Sequence, residues 1–116
     1  MNDLSMTDYQ MAASETAIYP GSGKGVEDAI NYTTLGLVGE AGELANKFKK
    51  VLRDRGGLAD DDARSDMAAE LGDVLWYVAN LANELGFSLE EIAKSNLRKL
   101  KSRQARGVLS GSGDNR

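Results

Sequence analysis

Met67-Ala68-Ala69-Glu70-Leu71-Gly72-Asp73-Val74-Leu75-Trp76-Tyr77-Val78-Ala79-Asn80-Leu81-Ala82-Asn83-Glu84-Leu85 decides the fold of this 116-residue chain. Met67, Leu71, Val74, Val78, Leu81 and Leu85 recur every three or four residues, the period of one helical face and not the alternation of a strand. Trp76, Ala79 and Ala82 widen that face until most of the circumference is apolar. A helix of that kind is buried on several sides. In so small a chain it belongs at the centre of a bundle and leaves apolar surface for a second copy, so at least a homodimer is expected. The preceding run Asp60-Asp61-Asp62 suits the positive end of the helix dipole, and Gly86 is a natural stop.

The rest of the chain follows the same period. A first helix is predicted from about Thr7 to about Ile18, capped by Ser5 or Thr7, and is broken by Tyr19-Pro20-Gly21-Ser22-Gly23-Lys24-Gly25. That loop lacks the spacing of a phosphate-binding loop and the strand that should precede one, so it is read as a turn. A second helix begins near Glu27 or Asn31 and carries Leu37, Ala41, Leu44, Phe48 and Val51 on one stripe, ending before Arg55-Gly56-Gly57. Ser88-Leu89-Glu90-Glu91 is a capping box that opens a fourth helix ending near Arg106-Gly107. The expected architecture is all-α, a four-helix bundle-type subunit over residues 1–109. Residues 110–116 form a glycine-rich tail, mobile unless a ligand or neighbour holds it. In a second reading the tail covers a bound ligand, Arg116 pairing with a phosphate.

Two acidic pairs stand out against this frame: Glu40 with Glu43, and Glu70 with Asp73. Each pair sits three residues apart, on one helical face, where like charges repel. On the second helix Glu40 lies roughly 90° and Glu43 roughly 150° from the apolar centre; on the third, Glu70 lies roughly 70° and Asp73 roughly 130° away. Both pairs therefore start where core gives way to solvent, as a metal site between packed helices requires. Mg²⁺ or Mn²⁺, hard cations that prefer oxygen, would turn the repulsion into attraction. Gly36, Gly39, Gly42 and Gly72 accompany the acids, each costing about 1 kcal/mol against alanine in a helix. Close approach of another backbone or a ligand is the expected compensation.

Composition narrows the chemistry. With no histidine and no cysteine there is no imidazole base, thiolate nucleophile or ordinary zinc site. A di-iron bundle is excluded on the same ground, since it needs Glu-x-x-His. The net charge of −4 argues against nucleic acid as a partner. No apolar run is long enough to cross a membrane, and the start of the chain shows no leader pattern, so a cytoplasmic location is expected.

Leu37-Val38-Gly39-Glu40-Ala41-Gly42-Glu43-Leu44, followed by Glu70-Leu71-Gly72-Asp73, resembles the signature of the MazG-like all-α nucleoside triphosphate pyrophosphohydrolases. The resemblance runs from the Tyr19-Pro20 loop through Asn96 and Lys99. It implies Mg²⁺ held by Glu40, Glu43, Glu70 and Asp73, cleavage between the α- and β-phosphates of a nucleoside triphosphate, and assembly as a homodimer or homotetramer. It also implies that Tyr77, Asn96 and Lys99 contact the nucleotide. Lys49 and Lys50 stand where deoxycytidine-type members carry a base-stacking aromatic, which leaves base preference open. Asn96 has a plain alternative as a helix-capping amide, Trp76 is assigned to packing, and the basic run Lys99, Lys101, Arg103 and Arg106 otherwise reads as a solvated helix end. The rival to the enzyme is a non-catalytic helical assembly or adaptor, which would gain no stability from magnesium.

Overall fold

The computed structural model describes residues 3–116 and contains four helices: α1 (Met6–Glu15), α2 (Glu27–Asp54), α3 (Asp61–Leu85) and α4 (Leu89–Ala105). The caps are those the sequence marks. Ser5, Asp60 and Ser88 each accept from the backbone N–H three residues on, and Gly86 closes α3 in the left-handed region at φ 79°. The first helix ends sooner than predicted, at Glu15. The Thr16 hydroxyl bonds the Ala13 carbonyl and also accepts from the Trp76 indole N–H at 2.8 Å.

The two long helices, α2 and α3, pair along much of their length as a hairpin, and α1 packs against α3. The sites of full burial are small or polar: Ala29, Thr33, Ala79 and Asn80. Asn80 ties α3 to α1 by donating to the Ala13 carbonyl. Gln10 pins the α3–α4 turn from both sides, donating to the Phe87 carbonyl at 2.9 Å and accepting from the Leu89 N–H at 2.7 Å. Beyond that turn, α1 is the helix on which α4 rests.

The apolar stripe of α3 is less covered than its composition suggests. Met67, Val74, Val78 and Leu81 are half-buried, while Leu71 and Leu85 are exposed. Large side chains of α2 point outward as well, Leu35 being 73% and Val38 66% exposed. The radius of gyration is 17.0 Å, against about 13 Å for a compact chain of this size. A single copy leaves much of its apolar surface in water.

Candidate metal centre

Helices α2 and α3 bring three of the four signature acids together. One carboxylate oxygen from each of Glu40, Glu70 and Asp73 lies within 4.8 Å of the others. Glu43, exposed on the next turn of α2, stands outside that group. Glu40 and Glu70 are half-buried and Asp73 is exposed, so the cluster opens from core to solvent.

The cluster is not balanced by protein donors. The Lys47 ammonium lies 3.1 Å from Glu70 Oε1 and also donates to the Asp66 carbonyl at 3.3 Å. Glu70 Oε2, by contrast, is buried and has no hydrogen-bond partner among the described residues. Lys47 first, and a hydrogen bond with Glu40 second, hold the Glu70 carboxyl below its ordinary range. Glu40 moves the opposite way, raised first by its contact with the Glu70 carboxyl, then by burial and by repulsion from Glu70, Asp73 and Glu43. The two carboxylates approach one another closely, each with an oxygen in the same cluster.

An aromatic cluster borders the acids. Tyr77, one turn beyond Asp73, meets Trp76 edge-on at 4.9 Å, and Tyr32 stacks on Tyr19 at 5.1 Å. Burial, Tyr32, Glu40 and Asp73 together raise the Tyr77 hydroxyl's pKa. Gly36 is required here, because a Cβ at that position would overlap the Tyr77 ring. At Gly39, Gly42 and Gly72 a Cβ would meet nothing, so the expected close approach is realised at Gly36 and not at the other three.

Asn96 and Lys99 are not part of this cluster. Both are exposed on α4, in an open groove of about 640 Å³ shared with Phe87, Ile92 and Arg98. Asn96 is therefore not the buried capping amide of the plain alternative. Lys99 bonds Asp114 of the tail at 3.2 Å. Arg116, assigned above to a phosphate, donates to the carbonyls of Val108, Leu109 and Gly113.

Three features escaped the sequence reading. Lys47 was not singled out, although it follows Glu43 by one helical turn and so shares its side of α2. Tyr9 of α1 is another, its hydroxyl raised by burial and by the charge of Asp73. The third is Glu84, a buried carboxylate near the end of α3, which accepts from the Tyr19 hydroxyl, the Gly23 N–H at 2.8 Å and the Gly25 N–H at 3.0 Å. Burial alone would raise its pKa, but these donors outweigh burial and hold it below the ordinary carboxylate range.

The chain resembles known proteins in the same region. The model of the MazG nucleotide pyrophosphohydrolase domain matches residues 29–108, which include all four signature acids, Tyr77, Asn96 and Lys99. A Mycobacterium phage L5 protein named "Gene 37 protein" is 58% identical over 109 residues, covering 93% of this chain and 96% of that one. No solved structure matches. The family match spans most of the chain and the helical architecture agrees with it: the chain belongs to the MazG nucleotide pyrophosphohydrolase family.

Proposed function

We propose that the protein is a Mg²⁺-dependent nucleotide pyrophosphohydrolase that cuts a nucleoside triphosphate between its α- and β-phosphates, yielding a nucleoside monophosphate and pyrophosphate. The observation that carries this is the convergence of one carboxylate oxygen each from Glu40, Glu70 and Asp73, beside a buried Glu70 Oε2 that has no hydrogen-bond partner among the described residues. Such an all-oxygen donor set fits a hard divalent cation, with Mn²⁺ as a substitute. Bound there, the cation would neutralise phosphate charge and lower the pKa of a water.

The residues divide the work as follows. Glu40, Glu70 and Asp73 are the ligands, and Lys47 steadies Glu70 from outside. Glu43, next to the cluster and free of it, completes the ligand set or accepts the proton of the attacking water. Tyr77, held in the Gly36 notch, borders the nucleotide. Lys99 is a point charge for the distal phosphates, and Asn96 hydrogen-bonds the substrate beside it.

Because α4 carries Asn96 and Lys99 away from the acids, the complete site needs a second copy of the chain. The outward apolar residues Leu35, Val38, Leu71 and Leu97 supply the surface for a homodimer, or a homotetramer built from dimers. Pyrophosphate release from a panel of purified ribo- and deoxyribonucleoside triphosphates tests the reaction. Release with Mg²⁺ that stops with chelator is expected, and silence across the panel would refute it. The same preparation should sediment well above 12.4 kDa at micromolar concentration.

A further inference from the structure

The chain beyond α4 does not trail away. Gly107, Gly111 and Gly113 take positive φ of 70°, 112° and 87°, which turns the backbone sharply onto the helix it has just left. Arg116 closes the turn through the carbonyls of Val108, Leu109 and Gly113, and Arg106 bonds the Arg116 carbonyl at 2.9 Å. The result aims Asp114 at α4. Its Oδ1 lies 3.2 Å from the Lys99 ammonium and 3.2 Å from Arg103 Nη2, and the same Nη2 bonds the Asp114 carbonyl at 2.8 Å.

Arg103 is the unusual member. It is only 5% exposed, and its Nε has no hydrogen-bond partner among the described residues. A guanidinium withdrawn from water with a spare donor, one turn from an exposed lysine, is a two-cation site facing one small anion. A carboxylate gives this pair one charge and few acceptor atoms; a phosphate gives more of both.

We propose that Asp114 is an internal anion seated on the Lys99–Arg103 pair, and that polyphosphate, free or as part of a nucleotide, competes with it for that pair. The inference rests on the reading of Lys99 as a phosphate contact. The Asp114 carboxylate is 82% exposed, so its ion pairs are weak and the tail yields when a better anion arrives. The tail thus acts as a threshold on substrate and product. Were the tail seated in about four-fifths of molecules, phosphate binding would weaken about five-fold, because apparent affinity falls with the competent fraction.

Asp114→Asn in the full chain tests this, since an exposed side chain can lose its charge without harming the fold. Calorimetry with inorganic pyrophosphate, and separately with a triphosphate, both without metal, should show about five-fold tighter binding than in the parent. With Mg²⁺, KM should fall by a similar factor while kcat holds. The gain should vanish when Lys99→Ala is added. A gain with both ligands assigns the competition to phosphate alone, and a gain with the triphosphate only assigns it to the nucleotide. Unchanged or weaker binding of both ligands overturns the proposal. A parent that hydrolyses nothing removes the hydrolase reading, while the calorimetric arm still decides the tail.

Discussion

Two carboxylates of α3, one buried and one half-buried, are surrounded in opposite ways. Glu84, near the end of the helix, collects three protein donors: the Tyr19 hydroxyl and the N–H groups of Gly23 and Gly25. Glu70, four turns earlier, has Lys47 on one oxygen and no hydrogen-bond partner on the other among the described residues, with Glu40 and Asp73 crowding in. Buried polar groups are almost always satisfied, so an acid left short of donors is the one of the two that the proposed cation would complete. Glu84 locks the loop before α2 onto α3. Glu70 has no such set of donors, in keeping with the proposed cation.

Removing charge from each region should break them in different currencies. Asp73→Asn is expected to lower the pyrophosphohydrolase rate by about 100-fold or more, as loss of a metal ligand does. Its ligand-free thermal midpoint should not fall, because a charge that repels Glu40 is gone. Activity within a few-fold of the parent at saturating Mg²⁺ would remove Asp73 from the site.

Glu84→Ala should do the reverse. It strands the Gly23 and Gly25 N–H groups and the Tyr19 hydroxyl, destabilising the fold by about 2–4 kcal/mol. A drop in melting temperature of about 10 °C or more is expected. An unchanged midpoint would show that the loop is held by something other than Glu84.

The finest contrast is in pH. Glu84 has a lowered pKa in the folded state, so the stability it contributes is present above the unfolded value of about 4.3 and lost as pH falls through the folded value. Glu40 has a raised one. The ligand-free fold binds its proton more tightly than the unfolded chain does, so stability declines as pH rises from about 4.3 through the folded value. Melting curves against pH should therefore flatten on the acid side in Glu84→Gln and on the neutral side in Glu40→Gln. Added Mg²⁺ should remove the second effect and leave the first. Identical pH profiles for both variants would show that Glu84 and Glu40 contribute to stability in the same way.

Much of this was legible in the chain. Ser5, Asp60, Ser88 and Gly86 mark helix ends through chemistry local to a few residues, and the caps fall where that chemistry puts them. The start of α2 left two choices because its N-cap is Val26, which has no side-chain acceptor to announce it. Glu40, Glu70 and Asp73 were readable because helical spacing and two apolar stripes are enough to aim them at one another. Glu84 was not. A carboxylate near a helix C-terminus has no local reason to be there, and its partners are backbone N–H groups some 60 positions away, presented by glycines with φ of 78° and 64°. The tail's contacts with α4 were hidden for the same reason: glycine-rich composition announces no partner, and the arginines involved bond mainly to carbonyls, which sequence cannot display.

The aromatic cluster carries a consequence of an optical kind. Trp76 is the chain's single tryptophan, and it lies edge-on to Tyr77 at 85° and to Tyr19 at 86°. Tyr77 borders Asp73 and Tyr19 holds Glu84, so one indole adjoins both carboxylate environments through one phenol each. Fixed ring angles of this kind produce a strong near-ultraviolet dichroic signal, which survives only while side-chain packing does. The molecule thus has an unlabelled reporter between its acid cluster and its loop-locking carboxylate: a cation entering the cluster should perturb the signal from one side, and melting of the loop from the other.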